Sequence, residues 1–289
     1  MAHRQVSSSE KKVRFLKISK RLLLYIFLTL YSFIIVFPIF LVGINSLKDN
    51  KAIFATPWSI PQNPRWLNYG EAWIEGKIGR AFFNSVLVTG VSVFSIAFIA
   101  PMAAYPLARM KFFGKKLTFY LFMSGMFIAQ ITGLVPLLKL LRNLNFVNTY
   151  WGLIFPNIAF GLSLSIFLIR SFFIEIPNSI DDACKVDGIP QWKVYWYVML
   201  PMAMPAVFTV IILQTVYIWN EFLFGLAFIR TRELFTLPRA LLTFKGTYIT
   251  SFGPLNAAVI LAAIPTIILY SLFSDKIRRA ISIGFSEKG

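Results

Sequence analysis

The sequence predicts an all-α protein that crosses a membrane six times, with both termini in the cytoplasm. Of its 289 residues, 57% are hydrophobic and only 14% are charged, which is more apolar surface than one soluble core can bury. The apolar residues concentrate in six runs of roughly 20 residues, the length of a helix that spans a bilayer. The net charge of +17 comes largely from Lys and Arg that flank these runs. That placement favours a topological role over nucleic-acid binding.

Each apolar run is predicted to be one membrane-spanning helix. The first run is longer than the apolar region of a signal peptide, which has about 7 to 15 residues, so we expect it to be retained. The runs divide the chain into a basic tail (1–21), a membrane domain (22–273) and a second tail (274–289). The predicted spans are 22–47, 85–107, 117–138, 150–169, 202–229 and 255–273.

Basic residues in the connecting segments predict the orientation of these spans. The first tail carries seven Lys and Arg, and the segment RMKFFGKK between the second and third spans carries four, with no acid. Both segments are therefore expected in the cytoplasm. Six crossings place the second tail and the connection 175–201 on the same side.

One sizeable segment, 48–83, is expected on the outer side. It contains the spaced aromatic residues Trp58, Trp66, Tyr69 and Trp73. Such rings concentrate at the level of lipid head groups, so an interfacial belt is one interpretation. A docking surface for an external partner is the other.

The sequence contains no pattern for a metal or nucleotide site. Its single histidine, His3, has no ligand residues nearby, and its one cysteine, Cys184, has no partner for a disulfide. The phosphate-binding pattern GxxxxGK[ST] does not occur in the chain. If ATP drives this protein, another subunit must bind it.

Polar side chains within the predicted spans are candidates for a translocation path, because polar groups are costly in hydrocarbon. Each has an alternative role. Glu221, toward the outer face, either contacts a solute or extends to water as a structural residue. The uncharged residues either bond neighbouring helices or line a path for a polyhydroxylated solute. The candidates are Gln130, Asn157, Gln214, Asn220, Glu221 and Asn256.

The connection DDACKVDGIPQWKVYWYVMLP is predicted to form a rigid helix-turn-helix elbow. Asn178 or Ser179 is expected to cap its first helix, and Asp181 and Asp182 lie in the first turn, where negative charge is favourable. Gly188 is expected to end that helix in a left-handed conformation.

The second helix of the elbow is expected to begin at Pro190 and to be broken by Pro201 before the fifth span. Ala183 and Cys184 are small enough to let another protein approach closely. A solvated charged loop is the alternative interpretation of this connection.

The spacing in this connection resembles the signature of membrane subunits of binding-protein-dependent ABC importers. That signature is EAA, three residues, Gly, nine residues, Ile, one residue and Leu-Pro. The matching residues are Asp182-Ala183-Cys184, Gly188, Val198 and Leu200-Pro201. Asp182 replaces Glu, Cys184 replaces Ala and Val198 replaces Ile.

Further segments, including FFNSVLVTG, AAYPLARMKFFGKK, WNEFLFGLAFI and FTLPRALLTF, are similar to the carbohydrate branch of this family. They resemble in particular the maltose-system permease subunit without the large extracellular domain. The resemblance implies the MetI-like fold of type I importers, a bacterial cytoplasmic membrane and a sugar as the solute, in particular an oligosaccharide.

The resemblance also implies partners. These are a homologous second permease subunit that completes a heterodimer, a cytoplasmic ATPase dimer that binds ATP and Mg, and an extracytoplasmic solute-binding protein. The elbow would be the coupling helix, with Asp182 paired to a basic ATPase residue and Gly188 setting the bend. The implied coupling residues are Asp181, Asp182, Ala183, Cys184, Asp187, Gly188, Leu200 and Pro201.

Two other classes remain open from the residues alone. A secondary active transporter of small polar solutes would be expected to have ionisable groups near the membrane midplane and two similar halves. A membrane enzyme would need a catalytic constellation at one face. Co-purification of an ATPase subunit would distinguish an importer permease from both.

Overall fold

The structure, a computed structural model, describes residues 8–244 and 251–285. It is all-helical, with 81% helix and no strand among the described residues. Short 3-10 turns and one π-helical turn join some of the α-helices. The α-helices of the first half are α1 (Ser8–Asn45), α2 (Asn50–Ala55), α3 (Leu67–Ile74), α4 (Ile78–Arg109), α5 (Lys115–Ser124) and α6 (Gln130–Asn143). Those of the second half are α7 (Trp151–Glu175), α8 (Asn178–Val186), α9 (Gln191–Val194), α10 (Leu200–Trp219), α11 (Leu223–Phe228), α12 (Leu237–Ala240) and α13 (Phe252–Phe285).

Four of the described helices are long and apolar enough to cross a membrane: Ser19–Asn45, Ile78–Arg109, Trp151–Glu175 and Gln191–Trp219. A fifth span results if α5 and α6 are counted together. The apolar described part of α13, Phe252–Ile268, is shorter. The chain is therefore a multi-pass membrane protein with four or five long apolar spans in its described part.

The third predicted span is not a straight helix. Lys115–Phe127 and Gln130–Asn143 meet at an angle of 106°. At the break, Gly125 lies so close to α7 that a Cβ atom there would collide with the Ser163 hydroxyl. The helix bends where this close approach begins, a tertiary contact that the apolar pattern does not reveal.

Contacts between helix ends define two ends of the bundle. At one end, the Tyr150 hydroxyl before α7 donates to Asn84 near the start of α4, at 2.8 Å. At the other, Arg170 of α7 donates to the Leu107 carbonyl near the end of α4, at 3.1 Å. The two helices therefore run in the same direction. We call the second end the elbow end, because α8 lies there, and the first the opposite end.

The core lies between α4, α7 and α10. α4 and α7 form the most extensive helix pair in the described chain, and α10 packs against both. Ile96, Ile166 and Met199 are fully buried there, as are Phe224 and Phe228 of α11. The core therefore holds the elbow end and α11 on one rigid unit.

The first helix is continuous from the predicted tail into the predicted span, since α1 begins at Ser8. Its described apolar residues from Leu22 to Phe40 lie largely outside the core. The second predicted tail, 274–289, continues α13 as far as Phe285. Residues 1–7, 245–250 and 286–289 lie outside the described residues.

The predicted outer segment contains α2 and α3 and is only partly packed. Trp58 stacks on Phe37 of α1 with ring centroids 5.6 Å apart, and the Tyr69 hydroxyl lies 2.9 Å from the Ser46 hydroxyl. Trp58, Trp66 and Trp73 keep about half or more of their surface exposed. This mixture is compatible with both a lipid-level belt and a docking surface.

The segment between α11 and α12 is hydrogen-bonded to the start of α4 at the opposite end of the bundle. Lys77 donates to the Glu233 carboxylate at 2.6 Å, and this hydrogen bond lowers the pKa of Glu233. Asn84 donates to the carbonyls of Glu233 and Phe235 at 2.8 and 2.9 Å. These bonds fix the connection to the start of α4.

Candidate functional site

The elbow begins at a joint of two residues between α7 and α8. Ile176 (φ −63°, ψ 130°) and Pro177 (φ −57°, ψ 137°) have extended backbones. The prediction that Asn178 or Ser179 caps α8 is wrong. Pro177 holds the cap position, and no side chain among the described residues caps this helix end. The Asn178 side chain instead accepts a hydrogen bond from Arg109.

Gly188 ends α8 as the sequence predicts. Its φ of 67° is left-handed, and its N–H donates to the Lys185 carbonyl at 3.1 Å while the N–H of Ile189 donates to the Cys184 carbonyl at 3.0 Å. This pair of bonds is a Schellman motif, which satisfies the last carbonyls of the helix. Asp187 is the last residue before the turn, and its backbone N–H donates to the Ala183 carbonyl at 3.0 Å.

The second arm of the elbow is the beginning of the fifth predicted span. Pro190 precedes α9, as predicted. The prediction that Pro201 breaks this helix is wrong, because Gln191–Trp219 is one continuous helix. A π-helical turn at Tyr195–Met199 precedes Pro201, and the Leu200 N–H donates to the Tyr195 carbonyl five residues back. The wider turn leaves room for the proline ring, which would otherwise collide with a carbonyl of the preceding turn.

The two acidic residues in the first half of α8 have different surroundings. Asp181 is 16% exposed and lies 3.3 Å from Arg109, whose side chain is 7% exposed. Asp182 is 67% exposed and accepts from Lys185 at 2.9 Å, a hydrogen bond that raises the pKa of Lys185. Asp181 is therefore held inside the fold, while Asp182, although paired with Lys185, keeps most of its surface exposed to other molecules.

The two small residues of α8 also differ. Ala183 is exposed, but Cys184 is buried in the core of the chain itself. The expectation that both small residues admit another protein is therefore wrong for Cys184. The small side chain of Cys184 instead lets α8 pack closely against the hydrophobic core of this chain.

Three apolar side chains of the elbow are exposed, and the predicted coupling residues include none of them. Val186 is 88% exposed and Tyr197 is 74% exposed, and Trp192 is 60% exposed. A valine among charged residues at the end of a short helix was the available signal. Exposed apolar side chains beside charges are typical of a protein interaction surface.

A cavity of about 370 Å³ separates α8 from the end of α4. Its lining carries charges of both signs, from Arg109 and Lys111 on α4 and the following segment, and from Asp181, Asp182 and Lys185 on α8. Among residues 8–244 and 251–285, no group of three His, Cys, Asp or Glu could hold a metal ion.

Two of the predicted path residues lie inside the bundle. Gln214 of α10 is 3% exposed, and its amide donates to the Gly161 carbonyl and the Ser165 hydroxyl of α7, both at 3.2 Å. Asn157 of α7 is 1% exposed. Both side chains are enclosed by this chain's own helices, so Gln214 acts here as a helix-to-helix contact.

Glu221 is a structural residue in this arrangement. Its carboxylate accepts from the backbone N–H groups of Phe224 at 2.7 Å and Gly225 at 3.3 Å, which are first-turn donors of α11. The carboxylate therefore satisfies the free donors at that helix start and complements its dipole. The neighbouring Asn220 is exposed and donates to the Val216 carbonyl at 2.8 Å.

The remaining path candidates, Gln130 and Asn256, are partly buried. Gln130 begins α6 beside the bend of the third span, and Asn256 lies in the first turn of α13. Burial therefore divides the six candidates into two sets. The structure leaves Gln130, Asn220, Glu221 and Asn256 accessible and encloses the other two.

The structure is an all-helical membrane bundle with a helix-turn-helix elbow at one end, the arrangement that the sequence resemblance implies for a membrane subunit of an ABC importer. Residues 8–283 match the family "Binding-protein-dependent transport system inner membrane component". The chain belongs to this family. The resemblance in the sequence is thereby confirmed, and so is the prediction of a transport subunit.

Individual relatives agree with this assignment. The probable ABC transporter permease protein YurM of Bacillus subtilis is 36% identical over 92% of this chain and 88% of its own length. The diacetylchitobiose uptake system permease protein NgcG of Streptomyces coelicolor is 32% identical over 97% and 91%. A chain in the crystal structure of a bacterial ABC transporter that imports the acidic polysaccharide alginate matches with a TM-score of 0.75 at 20% identity, over 94% and 99%.

Proposed function

We propose that this chain is the permease subunit of an ATP-driven importer of carbohydrate, in particular oligosaccharide, in a bacterial cytoplasmic membrane. The observation that carries the proposal is the elbow, which presents Asp182, Ala183 and Val186 to another protein while Asp181 and Cys184 hold it to the bundle. A relative that takes up diacetylchitobiose and a structural neighbour that imports alginate support the solute class.

The chain crosses the membrane six times in this proposal, with the elbow end and both termini in the cytoplasm. The alternation of helix directions supports it. Lys115 at the start of α5 donates to the Ala108 carbonyl at 3.1 Å at the elbow end. After α6, Asn148 donates to the Thr231 hydroxyl at 2.8 Å at the opposite end. The bent pair therefore carries the chain from one end of the bundle to the other.

The partners are a homologous second permease subunit, a cytoplasmic ATPase dimer with ATP and Mg, and an extracytoplasmic solute-binding protein. The family is defined by dependence on a binding protein, which supports the last of these. The apolar face of α1 lies outside the chain's core, so it is covered by lipid or by the second permease. The exposed face of α8, with Asp182 and Val186, is the surface for the ATPase.

In this proposal, the motion of the ATPase reaches the permease in the following way. ATP binding closes the ATPase pair, which shifts α8 through contacts at Asp182 and Val186. Because α8 is fixed to α4 and α7, the bundle turns and opens the path to the binding protein. Moving such an equilibrium from 1:99 to 99:1 takes about 5.5 kcal/mol of differential binding, which the ATP contacts of the ATPase supply.

Charge reversal at the exposed acid tests this function. In the transporter complex reconstituted in proteoliposomes, Asp182→Lys should abolish sugar uptake and weaken ATPase co-purification while leaving membrane insertion intact. Glu75→Lys is the matched control, because Glu75 is also exposed but lies at the opposite end. It should retain the ATPase. Unchanged uptake and retained ATPase in Asp182→Lys would contradict the coupling role.

Uptake driven by a proton or sodium gradient, without any ATPase, would instead identify a secondary active transporter.

A further inference from the structure

We propose that Arg109 and Arg170 are positioning residues that transmit the motion of α8 into the bundle. Each arginine belongs to one helix and binds the carboxyl end of the other. Arg109 of α4 donates to the Ile176 carbonyl at the end of α7, and Arg170 of α7 donates to the Leu107 carbonyl at the end of α4 at 3.1 Å. This inference rests on the proposed coupling function and assigns the residues that make the elbow stiff.

Arg109 holds both sides of the joint between α7 and α8. It donates to the Ile176 carbonyl before the joint and to the Asn178 side chain after it. Its guanidinium also lies 3.3 Å from the Asp181 carboxylate, one turn into α8. The guanidinium of arginine carries five donors in a rigid, planar fork, which suits it to hold several acceptors in a fixed arrangement. The joint therefore cannot bend unless these bonds break.

Arg170 makes the reciprocal contact, from α7 to the carboxyl end of α4. In addition to its bond with Leu107, its guanidinium lies 4.1 Å from the centre of the Phe119 ring of α5. Lys115 donates to the carbonyls of Ala108 and Met110 at 3.1 and 2.9 Å. The free carbonyls at the end of α4 thus receive cations from two other helices, where the helix dipole favours positive charge.

The consequence is that α8 is mounted on a block formed by the ends of α4, α5 and α7. A force applied to α8 then rotates this block instead of folding the joint at Ile176 and Pro177. If the contacts of Arg109 and Arg170 are removed, the ATPase can still bind α8 and hydrolyse ATP. The joint absorbs the movement, and the bundle does not follow.

The test compares Arg109→Gln and Arg170→Gln with Lys116→Gln in the reconstituted complex. Lys116 is an exposed cation in the first turn of α5 at the same end of the bundle. Its replacement removes the same charge but none of the described bonds to the carboxyl ends of α4 and α7. Both arginine variants should raise the ATP hydrolysed per sugar transported by roughly 5-fold or more, the range of a typical coupling free energy. Lys116→Gln should match the wild type.

Arg109→Lys refines the test. Lysine keeps the charge beside Asp181 but has no fork, so it should restore the ratio only in part. Simple misfolding would lower ATP hydrolysis and uptake in proportion and leave their ratio unchanged. A wild-type ratio in both glutamine variants, together with ATP hydrolysis at the wild-type rate, would overturn the proposal.

Cys184 supplies a second readout, because it is the only cysteine of the chain and is buried in α8. In the assembled complex, its labelling by N-ethylmaleimide reports release of α8 from the bundle. Labelling should be at least several-fold faster in Arg109→Gln than in Lys116→Gln. Equal labelling rates in the two variants would show that Arg109 does not hold the elbow in place.

The outcomes separate this inference from the function on which it rests. If Asp182→Lys leaves uptake intact, the coupling function itself fails. If Asp182→Lys abolishes uptake but both arginine variants keep the wild-type ratio, only the positioning role fails.

Discussion

Replacement of Gly188 allows a quantitative test of the elbow. The glycine has a φ of 67° and supports the Schellman motif that ends α8. No described atom lies within 4 Å of the place where a Cβ atom would be added. A substitution there therefore meets no steric obstacle within this chain, so its effect on the elbow itself comes from backbone conformation.

Substitutions of Gly188 can be ranked by the free-energy cost of placing each residue in the left-handed conformation. An ordinary L-residue in the left-handed region costs about 1 to 2 kcal/mol, which lowers the ratio of intact to distorted elbows by roughly 5- to 30-fold. Asparagine tolerates this region better than alanine, and a β-branched residue tolerates it less. Proline cannot adopt a positive φ at all. The expected order of damage is therefore Asn, Ala, Val and Pro, from least to greatest.

The assay is sugar uptake in proteoliposomes, with ATP hydrolysis measured in parallel. Gly188→Asn should transport nearly as well as the wild type, and Gly188→Pro should hydrolyse ATP without uptake. Gly114 provides the matched control, since its φ is 80° and its Cβ position is also open. Gly114→Ala introduces the same strain at the same end of the bundle, but outside the elbow, and should leave coupling intact.

Two results would refute the reasoning about Gly188. One is normal coupling in Gly188→Pro, which would show that the left-handed turn is dispensable. The other is equal loss of coupling in Gly114→Ala and Gly188→Ala, which would show that general destabilisation is being measured.

Three further variants test individual assignments. Glu221→Gln should reduce uptake less than Asp182→Lys does, because an amide oxygen can still accept from the α11 backbone; the reverse order in uptake assays would place Glu221 in the solute path. Gln214→Leu should keep uptake and change stability by about 1 kcal/mol or less, and a large loss of uptake at unchanged thermal stability would contradict its packing role. The Glu233 carboxylate, whose pKa is lowered by Lys77, should stabilise the opposite end above its unfolded pKa and lose this effect as the pH falls through the lower folded value. Thermal unfolding against pH should therefore show a smaller acid-induced loss in Glu233→Gln, and identical profiles would argue against the Lys77 pair.

Local sequence signals predicted the elements whose causes are local. Gly188 followed a short charged helix and preceded Pro190, so the left-handed stop could be predicted from neighbouring residues alone. The apolar runs likewise placed α4, α7 and α10, because a membrane span depends mainly on length and composition.

Two of the errors arose where distant contacts decide the structure, and a third arose at a local distortion of the helix. Arg109 lies 69 residues before Asn178, so its hold on α8 left no mark in the spacing of the elbow. Pro201 has the residue type of a helix breaker, but a π-helical turn accommodates it. The close approach of Gly125 to Ser163, beside the bend of the third span, is likewise a tertiary contact that the apolar pattern cannot show.

Candidate path residues were the least predictable group. Residue type alone marked Gln214 and Glu221 as possible solute contacts. Gln214 was enclosed by the crossing of α7 and α10, a tertiary feature. Glu221 could have been read as a helix cap, since its partner Phe224 is only three residues away.

A photocrosslinker at Val186 can establish whether α8 meets an ATPase in the intact transporter. Val186 is 88% exposed on α8, so p-benzoylphenylalanine at this position should be tolerated and should react with whatever protein covers it. In whole cells, irradiation should give a covalent adduct between this chain and the ATPase subunit. An adduct with the extracytoplasmic solute-binding protein would place the elbow on the wrong side of the membrane and contradict the coupling function.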